Sequence, residues 1–242
     1  MNNNTLIVIP IRMKSSRFPG KPMININGKP MIMHVWKKAV LSKSGDVLVA
    51  CCDKVVEDFL LKKKIPHVMT KQKLNSGTDR VFSAMQIYLK KKSYKYIINL
   101  QGDIPNISPS SVKKISLLIR EKGIEMATLA SKIKNKKKIR DNNIVKVALS
   151  KVSKHYKALY FSRAPIPFGA KNFYEHIGIY AYTVKTLEKF IKLKMGELEK
   201  IESLEQLRAL ENGIEINVSM INKAPHSIDT PRDLKEFLKR KS

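Results

Sequence analysis

The chain opens on an apolar run and a basic loop that together decide the fold: Leu6-Ile7-Val8-Ile9-Pro10-Ile11-Arg12-Met13-Lys14-Ser15-Ser16-Arg17-Phe18-Pro19-Gly20-Lys21-Pro22. An uninterrupted apolar run suits a strand buried on both faces, as in a parallel sheet. The loop after it carries several cations, and open α/β sheets bind ligands at the carboxyl ends of their strands. The sequence therefore indicates a cradle for a polyanion such as a triphosphate. The alternative is a solvated basic loop in a basic protein.

The net charge of +27 is the most unusual feature of the composition. Taken alone, it suggests a nucleic acid or an anionic surface as partner. However, the lysines spread along the whole chain, and aromatic residues make up only 7% of it, without an RNA-stacking pattern. We therefore expect the charge to attract small anionic substrates and expect no nucleic-acid partner, while a basic nucleic-acid-binding protein stays the alternative.

Length and hydropathy predict one domain over residues 1–242, with a subsidiary lobe at about 126–183. No apolar run approaches the ~20 residues of a membrane span. The first residues lack the pattern of a signal peptide, so we expect a cytoplasmic protein without a membrane partner. The only cysteines, Cys51 and Cys52, are adjacent, which excludes a disulfide framework and a cysteine-based zinc site.

Strand-like and helix-like segments alternate over the first half of the chain. The patterns predict strands at Leu6–Ile9, Asp46–Cys51, Ile65–Met69 and Tyr96–Leu100, and helices at Met31–Leu41, Val55–Lys63, Thr78–Lys91 and Ser108–Glu121. This order predicts an α/β fold with a Rossmann-like, mainly parallel sheet flanked by helices.

The second half has a different pattern, with strands that follow one another closely. It predicts strands at Met126–Ile133, Ile144–Leu149, Ala158–Phe161 and Glu215–Met220, and helices at Val184–Leu193, Glu199–Asn212 and Pro231–Lys239. We interpret this part as a small mixed β lobe followed by further helices.

Two acidic residues are candidates for a magnesium site. Asp103 ends a predicted strand, in Leu100-Gln101-Gly102-Asp103, on the side of the basic loop. Asp229 precedes a predicted helix, in Ile228-Asp229-Thr230-Pro231. Mg²⁺ takes one or two carboxylates and fills its shell with water and phosphate oxygens. For both residues, capping of the following helix is the alternative.

Further polar segments carry weaker signals. The segment Asn75–Arg80 begins a helix whose free backbone N–H groups could hold an anion, with an ordinary N-cap as the alternative. Arg163 follows a strand and suits a carboxylate ligand. His176 and Tyr180 flank a glycine, and a lone histidine is more often structural. Residue pattern alone would not select Glu205 and Gln206, because polar helical faces are usually solvated.

Taken in order, the motifs of this chain resemble the 3-deoxy-manno-octulosonate (Kdo) cytidylyltransferases, the CMP-Kdo synthetase family. The shared segments span nearly the whole chain: Ile9-Pro10-Ile11-Arg12, Arg17-Phe18-Pro19-Gly20-Lys21-Pro22, Asn25-Ile26-Asn27-Gly28-Lys29-Pro30, Ser76-Gly77-Thr78-Asp79-Arg80, Gln101-Gly102-Asp103, Met126-Ala127-Thr128-Leu129, Ala158-Leu159-Tyr160-Phe161-Ser162-Arg163, His176-Ile177-Gly178-Ile179-Tyr180, Leu204-Glu205-Gln206-Leu207-Arg208 and Ile228-Asp229-Thr230-Pro231. The first loop alone would indicate only a sugar nucleotidyltransferase. The segments around Arg163, His176 and Glu205 narrow the resemblance to this family and its nearest relatives.

The resemblance implies a nucleotide-diphospho-sugar transferase type of fold and a reaction. CTP and Kdo would give CMP-Kdo, used in lipopolysaccharide biosynthesis, and pyrophosphate, with Mg²⁺ as cofactor and a homodimer as the assembly. The implied roles are catalytic for Arg12, Lys21 and Asp103; nucleotide-binding for Pro10, Arg12, Arg17, Lys21, Ser76, Gly77 and Gln101; sugar-binding for Arg163, His176, Tyr180, Glu205 and Gln206; and metal-binding for Asp103 and Asp229.

The chain departs from the family pattern at a few positions. Ile104 stands where the family usually has Glu. The second strand ends in Ala50-Cys51-Cys52, with Asp53 next, where the family usually has Ala-Thr-Asp. The loop between Pro167 and His176 is short. These departures leave the choice of sugar open, so another acidic sugar, 8-amino-Kdo or a sialic acid, stays an alternative substrate.

Overall fold

A computed structural model describes residues 4–15, 17–90 and 92–239. Residues 1–3, Ser16 and the helix end predicted at Lys91 lie outside the described residues. The chain divides into two compact units: the first combines the chain up to Lys113 with the segment from Pro225 onward, and the second runs from Lys114 to Ala224. The predicted single domain with its lobe at about 126–183 stays a prediction.

The structure contains every predicted strand, together with β2, β3 and β10, which the patterns did not predict. The strands are β1 (Thr5–Pro10), β2 (Asn25–Ile26), β3 (Lys29–Pro30), β4 (Asp46–Cys51), β5 (His67–Met69), β6 (Tyr96–Leu100), β7 (Met126–Lys132), β8 (Lys146–Val152), β9 (His155–Ser162), β10 (Tyr174–Thr183) and β11 (Asn217–Ile221). The helices are α1 (Met31–Leu41), α2 (Lys54–Lys62), α3 (Gly77–Leu89), α4 (Pro109–Leu118), α5 (Val184–Lys192), α6 (Glu197–Glu202), α7 (Leu207–Glu211) and α8 (Pro231–Lys239). No helix in the described ranges is long and apolar enough to cross a membrane.

The first unit contains a sheet of parallel strands in the order β5-β4-β1-β6. Residues 6–9 of β1 are completely buried, as the apolar run predicts for a central strand covered on both faces. Because parallel strands end at the same edge, the residues after β1 and β6 lie close together. The basic loop and Asp103 occupy those two positions.

The second unit contains strands of mixed direction. β7 pairs with β10 in antiparallel and with β11 in parallel fashion, while β9 pairs antiparallel with both β11 and β8. The predicted α/β class is therefore confirmed, with parallel pairing in the first unit and mixed pairing in the second.

The second unit differs from the sequence prediction in one strand and one helix. Strand β10 was not predicted, because Gly178 and a bulge between Ile177 and Tyr180 interrupt the alternation of polar and apolar residues. The helix predicted at Glu199–Asn212 is two short helices, α6 and α7. The break lies at Ser203, whose φ of 53° is left-handed, and neither Gly nor Pro announces it in the sequence.

The segment that begins at Pro225 belongs to the first unit, and its contacts there fix the position of Asp229. Ile228 is completely buried in an apolar cluster with Ile26, Met31 and Phe237. Its backbone N–H donates to the carbonyl oxygen of Asp103 at 2.9 Å. This pairing places two acidic residues from distant parts of the sequence side by side.

Candidate functional site

Backbone hydrogen bonds hold the basic loop of the first unit in a closed shape. The N–H of Gly20 donates to the carbonyl oxygen of Met13 at 2.9 Å, and Gly20 adopts a left-handed φ of 72°. The N–H of Met13 donates to a carboxylate oxygen of Asp53 at 2.8 Å. Asp53 follows β4, so the neighbouring strand fixes the loop against the sheet.

Lys21 lies between two carboxylates at the end of this loop. Its Nζ atom is 2.8 Å from Oδ2 of Asp103 and 3.1 Å from Oδ1 of Asp229, and Nη2 of Arg17 is 3.1 Å from the same Oδ1. Burial disfavours the charged ammonium, but the two carboxylates outweigh this effect and raise the pKa of Lys21 above its ordinary value. Lys21 therefore carries its charge at neutral pH.

Among the described residues, neither carboxylate accepts a helix-capping hydrogen bond, which was the alternative for both. Helix α8 begins with a reciprocal cap, in which Thr230 Oγ1 accepts the N–H of Asp233 and the Asp233 carboxylate accepts the N–H of Thr230. Ser108 Oγ accepts the N–H of Ser111 at the start of α4. Asp103 and Asp229 are thus left to face Lys21.

A cleft opens beside this cluster in the first unit. Its lining includes every nucleotide and metal residue that the sequence suggested, namely Pro10, Arg12, Arg17, Lys21, Ser76, Gly77, Gln101, Asp103 and Asp229. A Cβ at Gly102 would lie 2.6 Å from Cγ2 of Ile11, so glycine lets the ends of β1 and β6 approach. The Ser76 hydroxyl is the N-cap of α3, which was the alternative role for this segment. Ser76 also lines the cleft.

The donor set of this cleft fits a magnesium ion shared with a ligand. The two carboxylates are hard oxygen donors, and the Lys21 ammonium between them shows that the position attracts a cation. No cluster of three or more Asp, Glu, His or Cys side chains with metal-site geometry occurs in the described ranges. The protein thus offers few ligands, and phosphate oxygens and water would complete the shell.

In the second unit, the Arg163 side chain donates its hydrogen bonds to backbone carbonyl groups. Its guanidinium donates to the carbonyl oxygens of Glu202 and Asn142 at 2.8 and 2.9 Å. Within the described part of the chain, no carboxylate forms an ion pair with it. The Glu202 carboxylate instead accepts from the Arg163 backbone N–H and the Ser162 hydroxyl. Arg163 is therefore held rigidly and remains able to attract an anion.

The other sugar candidates lie in the same part of this unit. The His176 ring packs against Phe161 and Tyr180, at centroid distances of 4.9 and 5.4 Å, and its Nε2 lies 3.0 Å from Thr128 Oγ1. Burial of this ring lowers the pKa of His176 to about 3, so the ring is neutral at pH 7. Burial and the nearby charge of Glu205 are among the causes that raise the pKa of Tyr180.

Gln206 has a buried donor without a hydrogen-bond partner. The residue is only 5% exposed, and its Nε2 atom meets no acceptor among the described residues. A buried amide that lacks a partner costs roughly 1–3 kcal/mol. This cost identifies Gln206 as a donor suited to a ligand.

The sequence reasoning missed residues that position the site. Asp53 holds the basic loop, and the buried Arg80 lines the cleft while it donates to Thr70 Oγ1 and the carbonyl of Lys71. Lys146 is completely buried and donates to the carbonyl oxygens of Asp141, Ile144 and Arg163. Only Arg80 lay in a recognised motif; Lys146 is one lysine of many in a basic chain.

Comparisons with known proteins converge on one kind of enzyme. A family model described as cytidylyltransferase matches residues 6–216. The chain is 42% identical to the 3-deoxy-manno-octulosonate cytidylyltransferase of Paramagnetospirillum magneticum, over 95% of this chain and 94% of that protein. It is 44% identical to the 8-amino-3,8-dideoxy-manno-octulosonate cytidylyltransferase of Shewanella pealeana, over 96% of each. A solved structure of CMP:2-keto-3-deoxy-manno-octonic acid synthetase complexed with CTP matches with a TM-score of 0.89 and 35% identity, over 98% of each chain.

The low pKa of His176 predicts a pH dependence of stability. The folded state holds the ring neutral down to about pH 3, whereas the unfolded chain binds a proton below about 6.5. Stability is therefore complete above pH 6.5 and falls as the pH drops below it. Between pH 7 and pH 4, His176→Gln should lose less unfolding free energy than the wild type, by up to about 3 kcal/mol in urea titrations. Equal losses in the two proteins would contradict the assignment.

Proposed function

Because the chain belongs to the CMP-Kdo synthetase family of cytidylyltransferases, we propose that it transfers CMP from CTP to the anomeric hydroxyl of Kdo and releases pyrophosphate. The product is the activated sugar of lipopolysaccharide biosynthesis. The observation that carries the proposal is the cluster of Lys21, Asp103 and Asp229 on a cleft lined with cations. The similarity over nearly the full chain supports the same conclusion.

The proposed chemistry needs positioning and charge neutralisation. The sugar hydroxyl attacks the α-phosphorus, a new oxygen–phosphorus bond forms, and the bond to the β-phosphate breaks in line as pyrophosphate leaves. Arg12, Arg17 and Lys21 would bind the triphosphate oxygens and stabilise the negative charge that develops on the leaving pyrophosphate. Arg12 and Arg17 are exposed enough to reach an entering ligand.

The remaining cleft residues would hold the nucleoside and the metal. Ser76, Gly77, Gln101 and Pro10 border the cleft on the side of α3 and suit contacts to the ribose and the cytosine. Asp103 and Asp229 would hold Mg²⁺, which supplies neutralisation of phosphate charge and activation of the sugar hydroxyl when it is bound.

In the second unit, the proposed sugar site combines one cation with neutral polar groups. Arg163 would pair with the sugar carboxylate, and Gln206 would donate its unpartnered N–H to a sugar oxygen. The neutral His176 and the un-ionised Tyr180 would make further hydrogen bonds, together with Glu205. A carboxylate and several hydroxyl groups describe Kdo and related acidic sugars.

A second substrate, the 8-amino derivative of Kdo, is also proposed. The relative from Shewanella pealeana named for that sugar is 44% identical to this chain, and the relative named for Kdo is 42% identical. The similarity to both kinds of relative supports both sugars as substrates.

The proposal also covers the cellular location and the assembly of the enzyme. We place it in the cytoplasm, where CTP is available, and propose that it acts as a homodimer. Its partners would be CTP and the sugar, without nucleic acid or membrane.

Pyrophosphate release tests the function directly. The purified chain should release pyrophosphate from CTP and Mg²⁺ only when Kdo or its 8-amino derivative is also present. Sialic acid serves as the comparison sugar. The absence of release with each of these sugars, from folded protein, would refute the proposal.

Asp53→Ala should weaken CTP binding although Asp53 does not line the cleft. The change removes the acceptor of the Met13 N–H, so the basic loop loses its tie to β4. We expect the KM for CTP to rise about tenfold, with a smaller change in the KM for the sugar. Asp58→Ala, on the exposed side of α2, is the control and should match the wild type. Unchanged CTP kinetics in Asp53→Ala would contradict the anchoring role.

Arg163→Ala should affect mainly the sugar. Loss of a charge-assisted hydrogen bond should raise the KM for Kdo at least about tenfold and leave the KM for CTP near the wild-type value. Arg140→Ala removes an exposed arginine from the same unit and is the matched control. An equal loss of affinity for both substrates would be inconsistent with the assigned pocket.

A further inference from the structure

We propose that Lys21 is a placeholder for the metal, and that the divalent cation enters the site only together with the triphosphate. The Lys21 ammonium is shared by the carboxylates of Asp103 and Asp229, at 2.8 and 3.1 Å. These are the same two oxygen donors that suit the metal. The proposal rests on the proposed function of this cleft and adds an order of events to it.

The charges of the cluster oppose binding of a free divalent ion. Two carboxylates contribute two negative charges, and Lys21 and Arg17 contribute two positive charges at ion-pair distance. The cluster is therefore neutral, and the further cations Arg12 and Lys14 lie in the same loop. Mg²⁺ gives up its bound water reluctantly. A neutral site that already holds a cation therefore has a low affinity for free Mg²⁺.

The triphosphate changes this balance. It brings several negative charges into the cleft, and a lysine ammonium on its flexible stem can turn from a carboxylate to a phosphate oxygen. Arg12 makes no hydrogen bond or ion pair within the described ranges, so it can receive the first phosphate contacts. Once Lys21 and Arg17 bind phosphate, both carboxylates are released for the metal.

The consequence is strong coupling between nucleotide and metal. Each ligand should raise the affinity for the other, because both need Lys21 away from the carboxylates. Without nucleotide, the wild-type chain should bind a divalent ion poorly although both acidic residues are in place.

The test is a titration of the full chain with Mn²⁺, followed by electron paramagnetic resonance in the absence of nucleotide and sugar. Lys21→Met should bind Mn²⁺ at least about tenfold more tightly than the wild type, because the placeholder is gone. Lys14→Met removes the same charge from the same loop but leaves Lys21 between the carboxylates, so its gain in Mn²⁺ affinity should be much smaller than that of Lys21→Met. Circular dichroism confirms folding, and Lys21→Gln replaces Lys21→Met where the latter does not fold.

Two further measurements complete the test. Adding Asp103→Asn to Lys21→Met should abolish the gain in Mn²⁺ affinity, since the ion would lose a carboxylate. Adding α,β-methylene-CTP to the wild type should raise its Mn²⁺ affinity about tenfold. Equal Mn²⁺ affinity of the wild type and Lys21→Met, or a gain that survives Asp103→Asn, would overturn the placeholder. If the gain appears but no sugar supports pyrophosphate release, only the proposed function fails.

Discussion

Electrostatic repulsion between Asp103 and Asp229 is the constraint on which the site depends. Two carboxylates held close together are stable only when a cation lies between them or when one of them is neutral. The fold brings them together through the hydrogen bond from Ile228 to the Asp103 carbonyl, and Lys21 compensates their charge. The site therefore needs both the basic loop, which supplies Lys21, and the segment at Ile228, which brings Asp229 beside Asp103.

The buried and half-buried cations of this chain have two kinds of partner. Lys21 meets carboxylates, so its charge is cancelled locally. Arg80 and Arg163 donate largely to backbone carbonyl groups, which satisfy their N–H groups but leave the net charge in place. A cation held by neutral dipoles is rigid and still attracts an anion, which suits residues that await an acidic ligand.

Much of the first unit could be predicted from the sequence because its signals are local. The buried run of β1, the helical spacing of α1 and the Pro at the start of α8 each act over a few residues, and the structure confirms these elements. The second unit was harder, since β10 is interrupted by a bulge at Gly178 and α6 ends at Ser203 without a usual stop signal.

The candidate site shows the same division. Its residues in the cleft could be collected from motifs, but the role of Asp53 as an anchor depends on a hydrogen bond between a loop and a distant strand. Likewise, Lys146 is held by hydrogen bonds to three carbonyl oxygens, which come together only when the unit folds. The roles of the site residues themselves stay predictions.

The return of the last segment to the first unit has a consequence for biosynthesis. The ribosome makes the basic loop and Asp103 well before Ile228 and Asp229, which lie far later in the sequence. A nascent chain can therefore form the parallel sheet while its acidic pair is still incomplete and Lys21 has only one carboxylate. Completion of the site therefore waits for synthesis of Asp229, and fragments released before that residue would hold the loop without the second acidic ligand.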